Sequence, residues 1–149
     1  AAPIGASITF LALVTGSIWG KPTWGTWWVW DARLTSTLVL FFLYLGVMAL
    51  RAAMENRESA GRATAVLALV GVINLPIIKY SVDWWFTLHQ PSSFTVAEKP
   101  AMPMEMWLPL LVMVFGYYAF FFTLWMMRIR VEIISREYRT DWVKRLVAS

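Results

Sequence analysis

The segment MWLPLLVMVFGYYAFFFTLWMM, residues 106–127, is the longest stretch of this chain without a charged side chain. A helix needs about 20 mostly apolar residues to cross the hydrocarbon core of a bilayer. The segment meets that length, so it predicts a membrane-spanning helix and decides the class of fold.

Three more apolar runs precede this segment, at Ile4–Trp19, Leu34–Leu50 and Ala63–Ile78. The composition agrees with a membrane protein, because 59% of the residues are hydrophobic and 15% are charged, whereas a soluble domain is about one quarter charged. We therefore predict an all-α, polytopic integral membrane protein with four transmembrane helices in a single membrane domain, residues 1–149.

The run Ala63–Ile78 is short and contains Asn74 and Pro76. A proline inside a spanning helix frees a backbone carbonyl that neighbouring groups must satisfy, so we expect a kink here and attribute Asn74 to it. None of the four runs contains a charged side chain, which disfavours a proton-coupled carrier.

The connecting segments predict the orientation, since cytoplasmic loops carry an excess of lysine and arginine. The loop 51–62 and the tail 128–149 together hold nine basic residues, and the loops 20–33 and 79–105 hold four. We therefore expect the first pair in the cytoplasm and the second pair on the outer face. The net charge of +4 then reflects topology, and we predict no nucleic acid partner.

The chain has no cysteine and one histidine, His89, which excludes disulfides and thiolate metal sites. The stretch GSIWGKPT, residues 16–23, lacks the spacing and the hydroxyl residue of a phosphate-binding loop. Nothing in the sequence indicates ATP hydrolysis, and we predict a protein that is not an enzyme.

Eight of the ten tryptophans fall in or beside the two loops that we assign to the outer face. An aromatic belt at the headgroup level accounts for Trp19, Trp107 and Trp125. It accounts poorly for WGTWWVWD, residues 24–31, because a belt serves both interfaces and this cluster lies on one side.

If residues 24–31 form a helix, four of them share one face at positions i, i+3, i+4 and i+7: Trp24, Trp27, Trp28 and Asp31. Trp30 points away from this face. Such an amphipathic segment would lie in the membrane interface and present a broad aromatic surface. Indole rings bury a large area with little loss of rotamer entropy, which suits a large, flat, apolar ligand.

The second outer loop contains DWWFTLHQ, residues 83–90, in which Trp84, Trp85 and an acid accompany His89. A neutral imidazole is a good ligand for haem iron. The alternative is an interfacial histidine that binds water or a lipid headgroup. The residues alone leave these two interpretations about equal.

WGTWWVWD resembles the signature of the WWD family of haem-handling membrane proteins, which serve cytochrome c biogenesis. Two longer stretches, GKPTWGTWWVWDARLTS at 20–36 and NLPIIKYSVDWWFTLHQ at 74–90, resemble the cytochrome c maturation protein C branch in content and order. Synthetase-type members tend to follow the aspartate with proline and an acid-rich stretch, whereas Asp31 is followed by ARLTS.

The resemblance implies six spans and haem b bound as transient cargo at a tryptophan-rich loop on the periplasmic or mitochondrial intermembrane-space side. It implies two axial histidines, of which His89 matches the second. The first would precede residue 1, so the four runs would be spans three to six and the first two spans would be missing. Met102, Met104 and Met106 are the methionines of the second outer loop and its border that could replace the absent ligand.

Given a haem ligand, its apolar macrocycle would rest on a platform of Trp24, Trp27, Trp28, Trp30 and Asp31. Lys21 and Arg33 are possible contacts of the anionic propionates, or ordinary loop cations at a membrane edge. Asp31 is expected to accept a hydrogen bond from an indole N–H or from Arg33 and to cap the second span. Trp84 and Trp85 would add aromatic surface from the second loop.

The resemblance further implies delivery of haem to a membrane-tethered haem chaperone. The other implied partners are ATP-binding cassette transporter subunits and a small single-span subunit, in the bacterial or mitochondrial inner membrane. Two alternatives remain open: a transporter or channel subunit whose tryptophans form an interfacial collar, and a synthetase-type WWD protein. A redox membrane cytochrome is disfavoured, because such proteins usually place paired histidines within their spans.

Overall fold

The computed structural model describes residues 1–90 and 101–148, with side chains described up to residue 146. All regular secondary structure within these residues is helical: α1 (Ala2–Trp24), α2 (Ala32–Ala53), α3 (Arg57–Trp84), α4 (Met104–Arg136) and α5 (Asp141–Ala148). Lys99, which we counted among the basic residues of the second predicted outer loop, lies outside the described residues.

The four helices α1 to α4 are each long and apolar enough to cross a membrane. Each contains one of the four predicted runs, which confirms the prediction of an all-α, polytopic membrane protein. The helices are longer than the runs, because a helix continues past the first charged side chain: α4 extends beyond Met127 to Arg136. The short helix α5 is absent from the prediction, because its residues are too few and too polar for a span.

The chain divides into two compact units, Ala1–Ser92 and Ser93–Ser149. In the first unit, α2 packs against both α1 and α3. The contact of α1 with α2 includes Phe10 and Phe41, whose ring centroids are 5.8 Å apart. The first unit is therefore a three-helix assembly with α2 in the middle.

A buried hydrogen bond joins α3 to α2. The side-chain Nδ2 of Asn74 donates to the backbone carbonyl of Ser36 at 2.7 Å, and both residues are buried. Interhelical hydrogen bonds of this kind hold transmembrane helices together. The amide of Asn74 thus serves helix packing, a role that we did not expect from the sequence. Helix α3 continues through Pro76, and the kink there stays a prediction.

In the second unit, a tight turn connects α4 to α5. The N–H of Thr140 donates to the carbonyl of Glu137 at 2.9 Å, and the indole N–H of Trp142 donates to the Glu137 carboxylate at 2.7 Å. Glu137 therefore ties the first turn of α5 to the end of α4.

Candidate functional site

The Trp-rich segment, residues 24–31, begins where α1 ends. Gly25 has a left-handed backbone with φ 79°, and its N–H donates to the carbonyl of Lys21 at 3.0 Å. Glycine adopts this conformation without steric cost and commonly ends helices. Residues 25–30 are not helical, so the helical geometry that we considered for residues 24–31 is wrong. The helix ends at Gly25 although the spacing of the tryptophans favours its continuation.

Asp31 ends this segment and caps the next helix. Its Oδ1 accepts a hydrogen bond from the backbone N–H of Leu34 at 2.7 Å, which satisfies a free N–H in the first turn of α2. Asp31 therefore caps the second span, as we expected. The carboxylate accepts its hydrogen bonds from other donors than the indole N–H or Arg33 that we expected. Its other oxygen turns toward the end of α3.

The second carboxylate oxygen of Asp31 meets two residues that lie more than fifty positions later in the chain. The Thr87 hydroxyl donates to Oδ2 of Asp31, and Nδ1 of His89 lies 2.9 Å from the same oxygen. The Asp31 side chain is only 3% exposed, and the His89 side chain is 21% exposed. A buried carboxylate thus contacts one edge of a partly exposed imidazole.

Thr87 completes the arrangement around His89. Its hydroxyl oxygen accepts a hydrogen bond from the backbone N–H of His89 at 3.1 Å and lies 3.1 Å from Nδ1 of the ring. Burial raises the pKa of the Asp31 carboxyl, but hydrogen bonds from Thr87, Leu34 and His89 outweigh burial and hold that pKa below its ordinary value. Asp31 is therefore a carboxylate at neutral pH.

An indole packs against the His89 ring. The centroids of Trp24 and His89 are 4.7 Å apart with the rings steeply inclined at 69°, and Trp19 meets Trp24 edge-on at 5.2 Å. Gly20 allows this position of Trp24, because a Cβ at residue 20 would lie 3.3 Å from the indole. We call Trp24, Asp31, Thr87 and His89 the His89 cluster.

The other tryptophans of the segment do not form one continuous face with Trp24. Trp27 is 57% exposed and lies 6.0 Å below the ammonium of Lys21, which also donates to the carbonyl of Gly25 at 3.1 Å. Trp28 and Trp30 contact each other edge-on at 5.5 Å. The segment therefore presents indoles in several orientations.

Trp28 also lines an apolar cleft between α1 and α2. The cleft has a volume of about 350 Å³, and its other lining residues include Phe10, Leu13, Ile18 and Phe41. The indole Nε1 of Trp28 is buried and has no hydrogen-bond partner among the described residues. Trp28 therefore contributes to the inner side of the segment, whereas Trp27 and Trp30 lie on its exposed side.

Trp84 and Trp85 lie at the end of α3, shortly before His89. Both are more than half exposed, and Trp84 stacks on Tyr80 at 5.6 Å and contacts Trp85 at 6.5 Å. No ring contact joins either of them to residues 24–31 in the part of the chain that the structure describes. Their place beside the cargo stays a prediction.

Arg33 is a predicted site residue that is not among the hydrogen-bond donors to Asp31. It lies partly buried in the first turn of α2. Met102, Met104 and Met106 belong to the second unit, so their candidacy as iron ligands stays a prediction. Among the described residues, no group of three or more histidine, cysteine, aspartate or glutamate side chains forms a metal site.

Thr87 is the residue that sequence reasoning missed. A threonine two positions before a histidine is a weak signal, because this spacing occurs by chance in any chain. Asp31 and His89 are 58 positions apart in the sequence. Neither composition nor local spacing indicates that two residues so far apart in the chain are in contact.

The comparisons with known proteins agree on one family. A family model for heme exporter protein C matches residues 1–144. A heme exporter protein C from Escherichia coli strain K12 is 56% identical over 147 residues, which are 98% of this chain and 58% of that protein. The protein of the same name from Haemophilus influenzae is 51% identical over 145 residues, which are 97% of this chain and 59% of that protein.

A mitochondrial relative matches a shorter part. The putative cytochrome c biosynthesis ccmC-like mitochondrial protein of Marchantia polymorpha is 56% identical over 95 residues, which are 64% of this chain and 39% of that protein. The chain thus spans just under three fifths of the bacterial relatives' length. The match to the family model includes both tryptophan-bearing segments, which confirms the resemblance at the level of the family. This chain belongs to the heme exporter protein C family.

Proposed function

We propose that this protein binds haem at the surface formed by the Trp-rich segment and His89 and passes it on during cytochrome c biogenesis. The observation that carries the proposal is the His89 cluster, in which a buried carboxylate and an indole hold a partly exposed imidazole. The name of the bacterial relatives supports haem as the cargo, and the name of the mitochondrial relative supports a role in cytochrome c biosynthesis.

The chemistry of these residues fits haem. A neutral imidazole whose far nitrogen donates to a carboxylate is a strong ligand for a metal, because the carboxylate fixes the ring and raises its basicity. Exposed indoles such as Trp27 and Trp30 offer large apolar faces for a macrocycle. Lys21 lies beside Trp27 and is an exposed cation that suits a propionate. We propose the same role for Arg33.

A partly exposed site suits transient binding. His89 is accessible at 21% of its side chain, so a bound ligand would stay reachable by the next carrier. We propose that this carrier is a membrane-tethered haem chaperone, with ATP-binding cassette transporter subunits and a small single-span subunit as further partners. In this proposal the protein delivers its cargo and catalyses no reaction.

We also propose a topology. The protein is a multi-pass protein of the bacterial or mitochondrial inner membrane, and its haem site faces the periplasm or the intermembrane space. The positive charge at the end of α2, the start of α3 and the end of α4 supports this orientation. The chain spans under three fifths of the length of its bacterial relatives. We propose that its four helices are spans three to six of six. The second axial ligand is then expected outside this chain.

Absorption spectroscopy tests the proposal. The intact protein, purified in detergent, should show a Soret band that His89→Ala strongly weakens, whereas the neighbouring control Gln90→Ala should leave the band unchanged. An unchanged band in His89→Ala would refute the role of the imidazole. If the wild type carries no haem even when the chaperone's transfer site is disabled, the tryptophans act as an interfacial collar of a transporter or channel subunit.

A further inference from the structure

We infer that Asp31 and Thr87 are positioning residues that keep the proton of the His89 ring on Nδ1, so that Nε2 is the atom that binds haem iron. The inference rests on the proposed function, because it names the atom through which that site would take its cargo. The part that concerns the ring proton is testable without haem.

The donors and acceptors around Nδ1 place the ring proton on that nitrogen. This nitrogen faces Oδ2 of Asp31 at 2.9 Å and the Thr87 hydroxyl oxygen at 3.1 Å. A carboxylate only accepts, and a threonine hydroxyl has one proton. That proton is donated to Asp31, so Thr87 presents a lone pair to the ring. An unprotonated Nδ1 would face two acceptors, which is unfavourable, and the ring proton therefore belongs on Nδ1.

The two acceptors that face Nδ1 are themselves fixed. Oδ1 of Asp31 is held by the N–H of Leu34 at 2.7 Å, which ties the carboxylate to the start of α2. The Thr87 oxygen accepts the backbone N–H of His89 at 3.1 Å with its remaining lone pair. Because the Asp31 side chain is 3% exposed, water has little access to replace the bond from Leu34.

The other ring nitrogen, Nε2, is left without a hydrogen-bond partner among the described residues. The hydrogen bonds that the His89 ring makes to described residues all use Nδ1, and Trp24 packs against the ring at 4.7 Å. Nε2 therefore keeps its lone pair for a metal. A carboxylate partner on the opposite nitrogen commonly contributes about 10–100-fold in metal affinity.

The variant Asp31→Asn separates this inference from a general structural role. An asparagine oxygen caps a helix as well as an aspartate does, so α2 keeps its first turn. The amide NH₂ then faces Nδ1 where an acceptor stood before, which reverses the preference and moves the ring proton to Nε2. Asp83→Asn is the matched control, because it removes an exposed carboxylate from the segment that precedes His89.

The closing experiment records the ¹⁵N spectrum of the histidine side chains in the intact, haem-free protein at alkaline pH, where imidazole is neutral. The His89 signals are identified by their loss in His89→Gln. We expect protonated Nδ1 in the wild type, in Asp83→Asn and in Thr87→Ser, and protonated Nε2 in Asp31→Asn. Thr87→Val should show a smaller fraction of the Nδ1 form than Thr87→Ser.

Protonated Nε2 in the wild type, or an Asp31→Asn spectrum like that of the wild type, would overturn the inference. Haem retention gives the second measurement: Asp31→Asn should bind about 10–100-fold more weakly, and Asp83→Asn should bind as the wild type does. Equal retention by the wild type and Asp31→Asn overturns the inference and leaves the proposed function standing. A wild type with protonated Nδ1 that takes up no haem refutes the proposed function instead.

Discussion

Replacing Gly25 with alanine is expected to destabilise the protein by about 1 kcal/mol. A Cβ at this position would meet no atom within 4 Å, so the cost is that of the backbone conformation alone. Holding an L residue in the left-handed region costs about 1–2 kcal/mol. The smaller conformational freedom of unfolded alanine offsets about 0.4–1 kcal/mol of that cost, and the difference is the expected net effect.

Equilibrium unfolding in detergent micelles measures this effect, and two variants sharpen it. Gly25→Asn should lose less stability, because asparagine tolerates the left-handed region. Gly16→Ala lies within α1, where a Cβ also meets open space, and it should be neutral or stabilising by up to about 1 kcal/mol. If Gly25→Ala is as stable as the wild type, or if Gly25→Asn loses as much stability as Gly25→Ala, the left-handed backbone at residue 25 does not set the cost.

Three further outcomes are expected. Because the pKa of Asp31 is lowered in the folded state, its contribution to the free energy of unfolding is present above pH about 4 and is lost as pH falls through the folded pKa. Thermal unfolding should therefore show that Asp31→Asn loses less stability on acidification than the wild type does. Asn74→Leu removes the 2.7 Å bond to Ser36 and should cost about 0.6–1.7 kcal/mol in the same unfolding assay; no change would mean that the bond contributes nothing. Trp24→Ala should lower haem retention more than Trp24→Phe, which keeps a ring against His89, and equal retention in both would contradict a role for that ring.

The four spans were predictable because lipid imposes a length and an apolar composition on each helix, and both are local properties of the sequence. Residues 106–127 satisfy them without reference to any other part of the chain. The end of α1 was less predictable, since the spacing of Trp24, Trp27 and Trp28 favours a continued helix and Gly25 opposes it. The structure shows that the glycine decides.

The candidate site was predictable in part. The abundance of indoles and the single imidazole singled out the two segments, and the structure brings Trp24, Asp31 and His89 together. Which donors Asp31 accepts from depends on how α1, α2 and α3 pack, and that packing is not local in sequence. The same is true of Asn74, whose partner Ser36 lies on a neighbouring helix.

We propose that the imidazole of His89 ligates haem iron. Its most direct test uses His89→Gly in the intact ferric protein supplied with ¹⁵N-labelled imidazole. Electron paramagnetic resonance should then show hyperfine coupling between the iron and the ¹⁵N of the added imidazole, together with recovery of the haem that the variant loses. Haem that stays bound in His89→Gly without imidazole, or a spectrum without ¹⁵N coupling, would contradict the account.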